Sequence, residues 1–335
     1  MVGGAVATLT LNGNTYLCQP NETVLDCLLK HNVRIPHSCR QGLCQSCLLR
    51  CLDTAPPALA QLGLKNTLQQ QNYFLACLCQ PEQDMQLALA NTLSRRLVTA
   101  KVVNKQWLAP DIVRLVLHYD SHFKFAAGQF INVQRDDGLT RSYSIANIPR
   151  HDNTLELHIR RLANGQFSSW VHDDLDIASE LTLSEAQGSC HYVSGKPEQP
   201  LLLIGTGTGL APLYGIITDA LTQGHSAPIH LFHGSRDSSG LYLSEDLRQL
   251  AEKFSQFHYT PCLSGTENIS AYAQGRAHQI ALATLPKLTG WRVYLCGHPE
   301  MVTQSQKMAY LQGAALKDIY TDAFHVKQTN SVSDL

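Results

Sequence analysis

The stretch "PHSCRQGLCQSC", Pro36–Cys47, sets Cys39, Cys44 and Cys47 in a C-x4-C-x2-C pattern, and Cys77 in "FLACLC" follows after 29 intervening residues. Three chemistries compete for such a stretch: structural zinc, a disulfide framework, or an iron–sulfur cluster. Structural zinc takes two short Cys-x-x-Cys or Cys-x-x-His arms, and no second arm follows here. A secreted disulfide scaffold is shorter and usually even in its cysteine number, whereas this chain has 335 residues and eleven cysteines. The spacing matches a plant-type [2Fe–2S] ligand set, with the fourth thiolate from Cys77 or from the neighbouring Cys79. Gly42 lets the loop backbone turn its amides inward without a Cβ clash. Cys18, Cys27, Cys51, Cys190 and Cys262 read as small apolar core residues.

A formal net charge of −1 and a hydrophobic content of 44% point to neither nucleic acid nor an anionic membrane surface as a partner. There is no run of about 18 apolar residues, so no transmembrane helix is expected. The start, "MVGGAVATLTLNGN", has no basic segment before a long apolar one, so no secretory signal is expected. With mostly reduced cysteines, the expected compartment is the cytoplasm.

The pattern changes twice along the chain. Residues 5–17 alternate around Asn12-Gly13, a hairpin signal. "NETVLDCLLKHN" follows as a helix capped by Asn21 or Thr23, with Val24, Leu25, Leu28 and Leu29 as its apolar face. A polar linker over Asn91–Leu97 leads into short strand patterns such as "DIVRLVLHY", "QFINVQR", "SYSIAN" and "TLELHIRRL", which suggest an antiparallel barrel. From Pro200 apolar strands alternate with helices, as in "PLLLIG" before "APLYGIITDALTQG", which predicts a parallel sheet. The expected domains are 1–92, 98–195 and 199–328.

Four further motifs carry chemistry. "RSYS" puts Arg141 and Tyr143 on one strand face, a cation for a pyrophosphate and a ring to stack on a flavin. "RRLANGQFSSW" offers backbone amides and hydroxyls from Gly165 to Ser169 at a helix N-terminus. "LLLIGTGTGLAP" runs from strand through Gly205, Gly207 and Gly209 into a helix, a nucleotide turn of GxGxG rather than GxGxxG form. "YLCGHPEMV" sets Cys296 at a strand's C-terminal end, where ligands of open α/β sheets gather; taken alone, this cysteine reads as a buried thiol.

Taken in order, these motifs resemble those of the reductase components of bacterial multicomponent oxygenases. Related iron–sulfur flavoprotein reductases of the ferredoxin–NADP+ reductase superfamily, with an N-terminal plant-type ferredoxin, are similar too. The resemblance runs from about Ala5 to Phe324. It implies a multidomain α+β and α/β architecture: a β-grasp ferredoxin, an antiparallel flavin-binding β-barrel and an α/β nucleotide-binding domain with a parallel sheet. It implies Cys39, Cys44, Cys47 and Cys77 as cluster ligands, with Cys79 a bystander. Arg141 then meets the FAD pyrophosphate, Tyr143 stacks on the flavin and Ser144 lies near its N5. Gly165, Gln166, Phe167 and Ser168 form a second flavin phosphate loop. Gly205, Thr206, Gly207, Thr208 and Gly209 form the nucleotide turn, and Cys296 lies near the nicotinamide. The implied activity is an NAD(P)H:acceptor oxidoreductase passing electrons through FAD and the cluster to an oxygenase or another redox protein. The alternative is a flavin, ferric-chelate or deoxysugar-intermediate reductase.

The chain departs from the family pattern at Gln45, where glycine is usual, at "EAQG" (Glu185–Gly188), and at His298, where proline is common. NADPH-specific relatives carry an arginine where Gly265 follows Ser264, so NADH is the expected donor and NADPH the alternative. Arg236 offers a substitute cation, with Asp237 opposing it. Phe324 is a candidate to cover the flavin, against ordinary packing.

Overall fold

The computed structural model describes residues 6–37, 40–42, 46–89, 97–119 and 123–325, so Cys39, Cys44, Gln45 and the tail beyond His325 lie outside the described residues. The chain divides into two compact units, Met1–Leu93 and Ser94–Leu335.

In the first unit, strands β1 (Ala7–Leu11) and β2 (Asn14–Cys18) form the expected hairpin. Its turn uses positive φ at Asn12 and Gly13, which these residue types tolerate. Helix α1 (Val24–Lys30) starts at Thr23, whose hydroxyl accepts the Asp26 amide at 3.1 Å. Strand β3 (Leu48–Cys51), the short helix α2 (Asn66–Gln70), β4 (Tyr73–Leu75) and β5 (Met85–Leu89) complete a sheet of order β2-β1-β5-β3-β4. Only β1 and β5 pair in parallel, the arrangement of a β-grasp. Val24, Leu25 and Leu28 are buried with Leu9, Leu49 and Phe74, while Leu29 is only partly covered.

The second unit begins with β6 (Leu97–Ala109), so Leu97 belongs to a strand and not to the linker. With β7 (Ile112–Tyr119), β8 (Phe130–Gln134), β9 (Thr140–Ser144), β10 (Thr154–Arg160) and β11 (Glu180–Ser184) it forms an antiparallel sheet of order β10-β7-β6-β11-β8-β9. A bridge between Ile145 and Leu157 joins the two edges and closes the barrel. Its core holds Leu115, Leu117, Ile131, Val133, Leu157 and Leu183, and helix α3 (Gln166–Asp173) adds Phe167 and Val171.

The rest is a wholly parallel sheet of β12 (Leu201–Thr206), β13 (Ile229–Ser235), β14 (Phe257–Leu263), β15 (Ala273–Gln274), β16 (Arg292–Gly297) and β17 (Ile319–Ala323), in the order β15-β14-β13-β12-β16-β17. Successive β12 side chains point to opposite faces. Leu201 and Leu203 pack with helices α4 (Leu210–Thr222) and α5 (Ser244–Lys253); Leu202 and Ile204 pack with α6 (Ala277–Thr284) and α7 (Pro299–Leu311). The strand order reverses between β12 and β16. Open α/β sheets bind ligands at the carboxyl ends of such a pair, and here the glycine turn and Gly297 stand there.

Candidate functional site

In the first unit, pairing of β3 with β4 sets Leu48 opposite Leu75, and the Ala76 amide donates to the Cys47 carbonyl at 3.0 Å. Cys47 and Cys77 are thereby brought to one end of two paired strands, at 3% and 9% exposure. Cys79 is fully buried; burial, with Cys51 nearby, pushes its thiol up to about 12. Its carbonyl accepts the Val24 amide at the start of α1. At Gly42, φ is +78°, and a Cβ would come within 2.5 Å of Leu78 Cδ1. The loop backbone therefore lies close against the residue after Cys77, and only glycine permits it. Cys47 and Cys77 beside a glycine-tight backbone fit a [2Fe–2S] ligand set.

Cys18, Glu22 and Cys27 place their ligand atoms within 4.8 Å of one another. The Cys18 thiol donates to the Glu22 carbonyl at 3.5 Å, and burial pushes it up to about 12 and raises Cys27 as well. Both behave as neutral core thiols.

Strand β9 carries "RSYS". Arg141 Nη1 donates to the Thr140 carbonyl at 2.8 Å, and the guanidinium has no carboxylate partner among the described residues. An unpaired cation on the same face as Tyr143 suits a pyrophosphate. The Tyr143 ring lies 5.6 Å from that of Phe167, and burial raises its hydroxyl pKa. Helix α3 starts earlier than its serines suggest, with Gly165 as its cap. The Ser168 hydroxyl accepts the Leu162 amide and donates to the Gly165 carbonyl, both at 3.1 Å, and Phe167 is a core residue. What this segment can offer a phosphate is the first-turn amides of Gln166, Phe167 and Ser168, not the Ser168 hydroxyl.

The nucleotide turn forms as expected: Thr206 ends β12, Gly207–Gly209 make a 3-10 turn and α4 follows. Gly207 has φ +55°, and a Cβ on Gly209 would strike the Cys296 carbonyl. The turn borders a cleft of ≈690 Å3 lined by Thr206, Gly207, Thr208, Gly297 and Phe324 at one part and by Arg236, Ser264 and Arg276 at another. Cys296 does not line it. Its thiol is fully buried, 3.6 Å from Cys190 Sγ, and burial together with Cys190 raises its pKa well above the ordinary value.

Two of the departures gain a physical account. The His298 amide donates to Thr206 Oγ1 at 3.1 Å, a bond that proline could not make. Gln187 and Phe130 exchange both backbone hydrogen bonds at 2.8 Å, so "EAQG" docks on the barrel. Asp237 lines the same cleft, and its carboxylate accepts from the Gly240 amide at 3.2 Å and from Ser239 Oγ at 2.7 Å.

Sequence reasoning missed Asp322 and Arg160. The Ser144 hydroxyl donates to Asp322 Oδ2 at 2.6 Å across 178 residues, and burial raises the pKa of Asp322 against the lowering effect of that bond. Arg160, paired with Asp111 at 3.1 Å, reaches over the turn, its Nη1 3.0 Å from where a Gly207 Cβ would stand. Asp322 sits in no local motif, and Arg160 opens the "RRLANGQFSSW" stretch with no spacing that singles it out; the β17 register opposite Cys296 brings Asp322 in.

Three family profiles match in chain order: the 2Fe-2S iron-sulfur cluster binding domain at residues 9–82, the oxidoreductase FAD-binding domain at 99–192 and the oxidoreductase NAD-binding domain at 203–307. Terephthalate 1,2-dioxygenase reductase component 1 of Comamonas sp is 30% identical over 94% of this chain and 96% of its own. The chain belongs to the iron–sulfur flavoprotein reductases of the ferredoxin–NAD(P)+ reductase family. The reductase is similar to the CDP-6-deoxy-L-threo-D-glycero-4-hexulose-3-dehydrase reductase of Yersinia pestis, 26% identical over 93% of this chain and 96% of that one. Among solved structures, the Amycolatopsis cytochrome P450 reductase GcoB superposes with a TM-score of 0.67 at 30% identity, covering 95% of this chain and 98% of the other. The reductase is thus an oxidoreductase built for NAD(P)H, FAD and a [2Fe–2S] cluster. Among the described residues, no helix is long and apolar enough to cross a membrane.

Proposed function

We propose that the reductase oxidises NADH and delivers single electrons to an oxygenase-type redox protein. The observation that carries this reading is the ≈690 Å3 cleft at the strand-order reversal, walled by β12, β16 and Arg160 of the barrel. That size suits an extended dinucleotide, and the place is where such sheets bind one. Bound FAD would supply the conversion between a two-electron nicotinamide donor and a one-electron cluster acceptor.

The chain's own residues bind and orient. Cys39, Cys44, Cys47 and Cys77 are the metal ligands, a choice supported by the place of Cys47 and Cys77 at one end of the β3–β4 pair and by the full burial of Cys79. Arg141 and the first-turn amides after Gly165 neutralise the flavin phosphates, and Tyr143 stacks on the ring system. Ser144, held by Asp322, presents a hydroxyl whose proton is already directed. Gly205–Gly209 and Arg160 receive the nucleotide pyrophosphate, and Cys296 acts from behind the turn through its backbone. Residues 1–92, 98–195 and 199–328 divide these tasks. Among the described residues Cys18, Cys27, Cys47, Cys51, Cys79, Cys190, Cys262 and Cys296 are free, which supports a reducing compartment, the cytoplasm.

Two observations favour second readings. Arg236 and Arg276 line the cleft with no carboxylate partner among the described residues, which suits the 2′-phosphate of NADPH, while Asp237, which lines it too, opposes that choice. Likeness to the Yersinia protein favours a deoxysugar-intermediate reductase. The deciding experiment is anaerobic titration with NADH or NADPH. NADH should bleach the flavin absorbance and produce a reduced-cluster EPR signal at lower concentration than NADPH. Iron- and sulfide-reconstituted protein with no such signal would refute the electron path, and the reverse nucleotide order would refute the donor. Turnover with a dioxygenase component but not with a dehydrase-bound sugar would decide the acceptor.

A further inference from the structure

We propose that Tyr242 is a positioning residue for the nucleotide turn, tying the polar face of β10 to His233, which holds the Gly207 carbonyl. The proposal rests on the reading that this turn receives the nucleotide. Strand β10 is buried on both faces: Leu155, Leu157 and Ile159 fill the barrel, while Glu156 and His158, at 4% and 3% exposure, face the other way. Buried charge of this kind persists only when paired. Glu156 is paired twice, with Arg114 Nε at 2.9 Å and Arg150 Nη2 at 3.2 Å.

His158 Nε2 lies 3.5 Å from the Glu156 carboxylate, an electrostatic contact rather than a formed hydrogen bond, and the carboxylate, which only accepts, favours the tautomer with its proton on that nitrogen. Burial keeps this imidazole neutral. Its Nδ1 is therefore an acceptor, and the Tyr242 hydroxyl donates to it at 3.1 Å. The Tyr242 ring stands edge-on between two imidazoles, 5.4 Å from His158 and 5.8 Å from His233. His233 is fully buried and held neutral, and its Nε2–H donates to the Gly207 carbonyl at 3.4 Å. Arg160, two residues beyond His158 on the same β10 face, reaches Gly207 as well. The turn is gripped by one strand of the barrel, directly through Arg160 and indirectly through Tyr242.

Tyr242→Phe keeps the ring and removes the donor to His158. His233→Phe keeps the packing and removes the donor to Gly207. In the holoenzyme each should weaken NAD+ binding, measured by calorimetry, by about fivefold to tenfold and raise KM for NADH in step, with kcat changed by less than about twofold. His233→Gln, whose amide occupies the place of Nε2, should recover wild-type affinity to within about twofold. Flavin and iron content should stay at wild-type values throughout. Unchanged NAD+ affinity in Tyr242→Phe and His233→Phe would overturn the proposal, as would failure of His233→Gln to outperform His233→Phe. If Tyr242→Phe loses its flavin, the two His233 variants decide. Absence of NAD+ binding by the wild type would instead count against the function proposed above.

Discussion

Removing the Ser144 hydroxyl tests the contact that joins the flavin barrel to the nucleotide sheet. In Ser144→Ala, Asp322 keeps its enclosed carboxylate and loses the donor at 2.6 Å. A hydrogen bond to a charged group contributes about 1.5–3 kcal/mol, against about 0.5–1.5 kcal/mol for a neutral one. For a unit of this size each kcal/mol moves Tm by about 2–4 °C, so Ser144→Ala should lower it by roughly 3–12 °C. In an Asp322→Asn background the same change should cost about half as much, since the acceptor is then neutral. The assay is thermal release of flavin fluorescence from all four proteins, alongside the rate of flavin reduction by NADH, which should fall about tenfold in Ser144→Ala. The pH dependence has a defined sign. Burial raises the pKa of Asp322 above its ordinary 3.8. Between those two values the folded chain holds one more proton than the unfolded chain, so this group's destabilising share is present above the window and fades as pH falls through it. An equal cost of Ser144→Ala in both backgrounds would refute the charged contact.

Three further outcomes are expected. Cys77→Ser should abolish cluster assembly, read as iron per chain, whereas Cys79→Ser should retain it and lose only core stability. His298→Pro suits the existing φ of −57° and removes only the amide bond to Thr206, so it should cost about 0.5–1.5 kcal/mol in denaturation and raise KM for NADH. A loss well beyond that would mean that His298 packs as a side chain. His233 has its pKa pushed down from 6.5 to about 4 by burial. The unfolded chain therefore holds the extra proton across that window, and stability should fall with acidification by about 1.4 kcal/mol per pH unit from this group. His233→Gln should flatten the slope between pH 6.5 and 4 by that share; an unchanged slope would place the titration in other buried histidines.

The motifs legible in the sequence were those whose chemistry is local. A cysteine spacing, a glycine turn between strand and helix, and an arginine two residues from a tyrosine each depend on a few consecutive dihedrals. The choice between Cys77 and Cys79 was not local. It depends on the strand pairing, in which the Ala76 amide reaches the Cys47 carbonyl so that Cys77 follows at that end of β3 and β4, while Cys79 is fully buried. The Ser168 hydroxyl looked available because α3 seemed to start at its serines; the helix starts at Gln166, and the hydroxyl is spent on its own turn. "TLELHIRRL" alternates as a strand with one wet face should. In the fold Glu156 and His158 are buried, because the nucleotide layer covers that face.

The sequence by itself determined the order of the three cofactor domains and the classes of fold that carry them, and it named candidate residues for each cofactor. Periodicity and turn chemistry act over a few residues and survive in the linear text. Only the tertiary structure decided which distant groups meet: Ser144 with Asp322, Cys190 with Cys296, and Tyr242 with His158 and His233. Apart from the step from His233 to Tyr242, those contacts span separations of 84 to 178 residues, which no local pattern covers. They form because a closed barrel and a parallel sheet must bury their remaining polar faces against each other, and each buried donor then needs one acceptor.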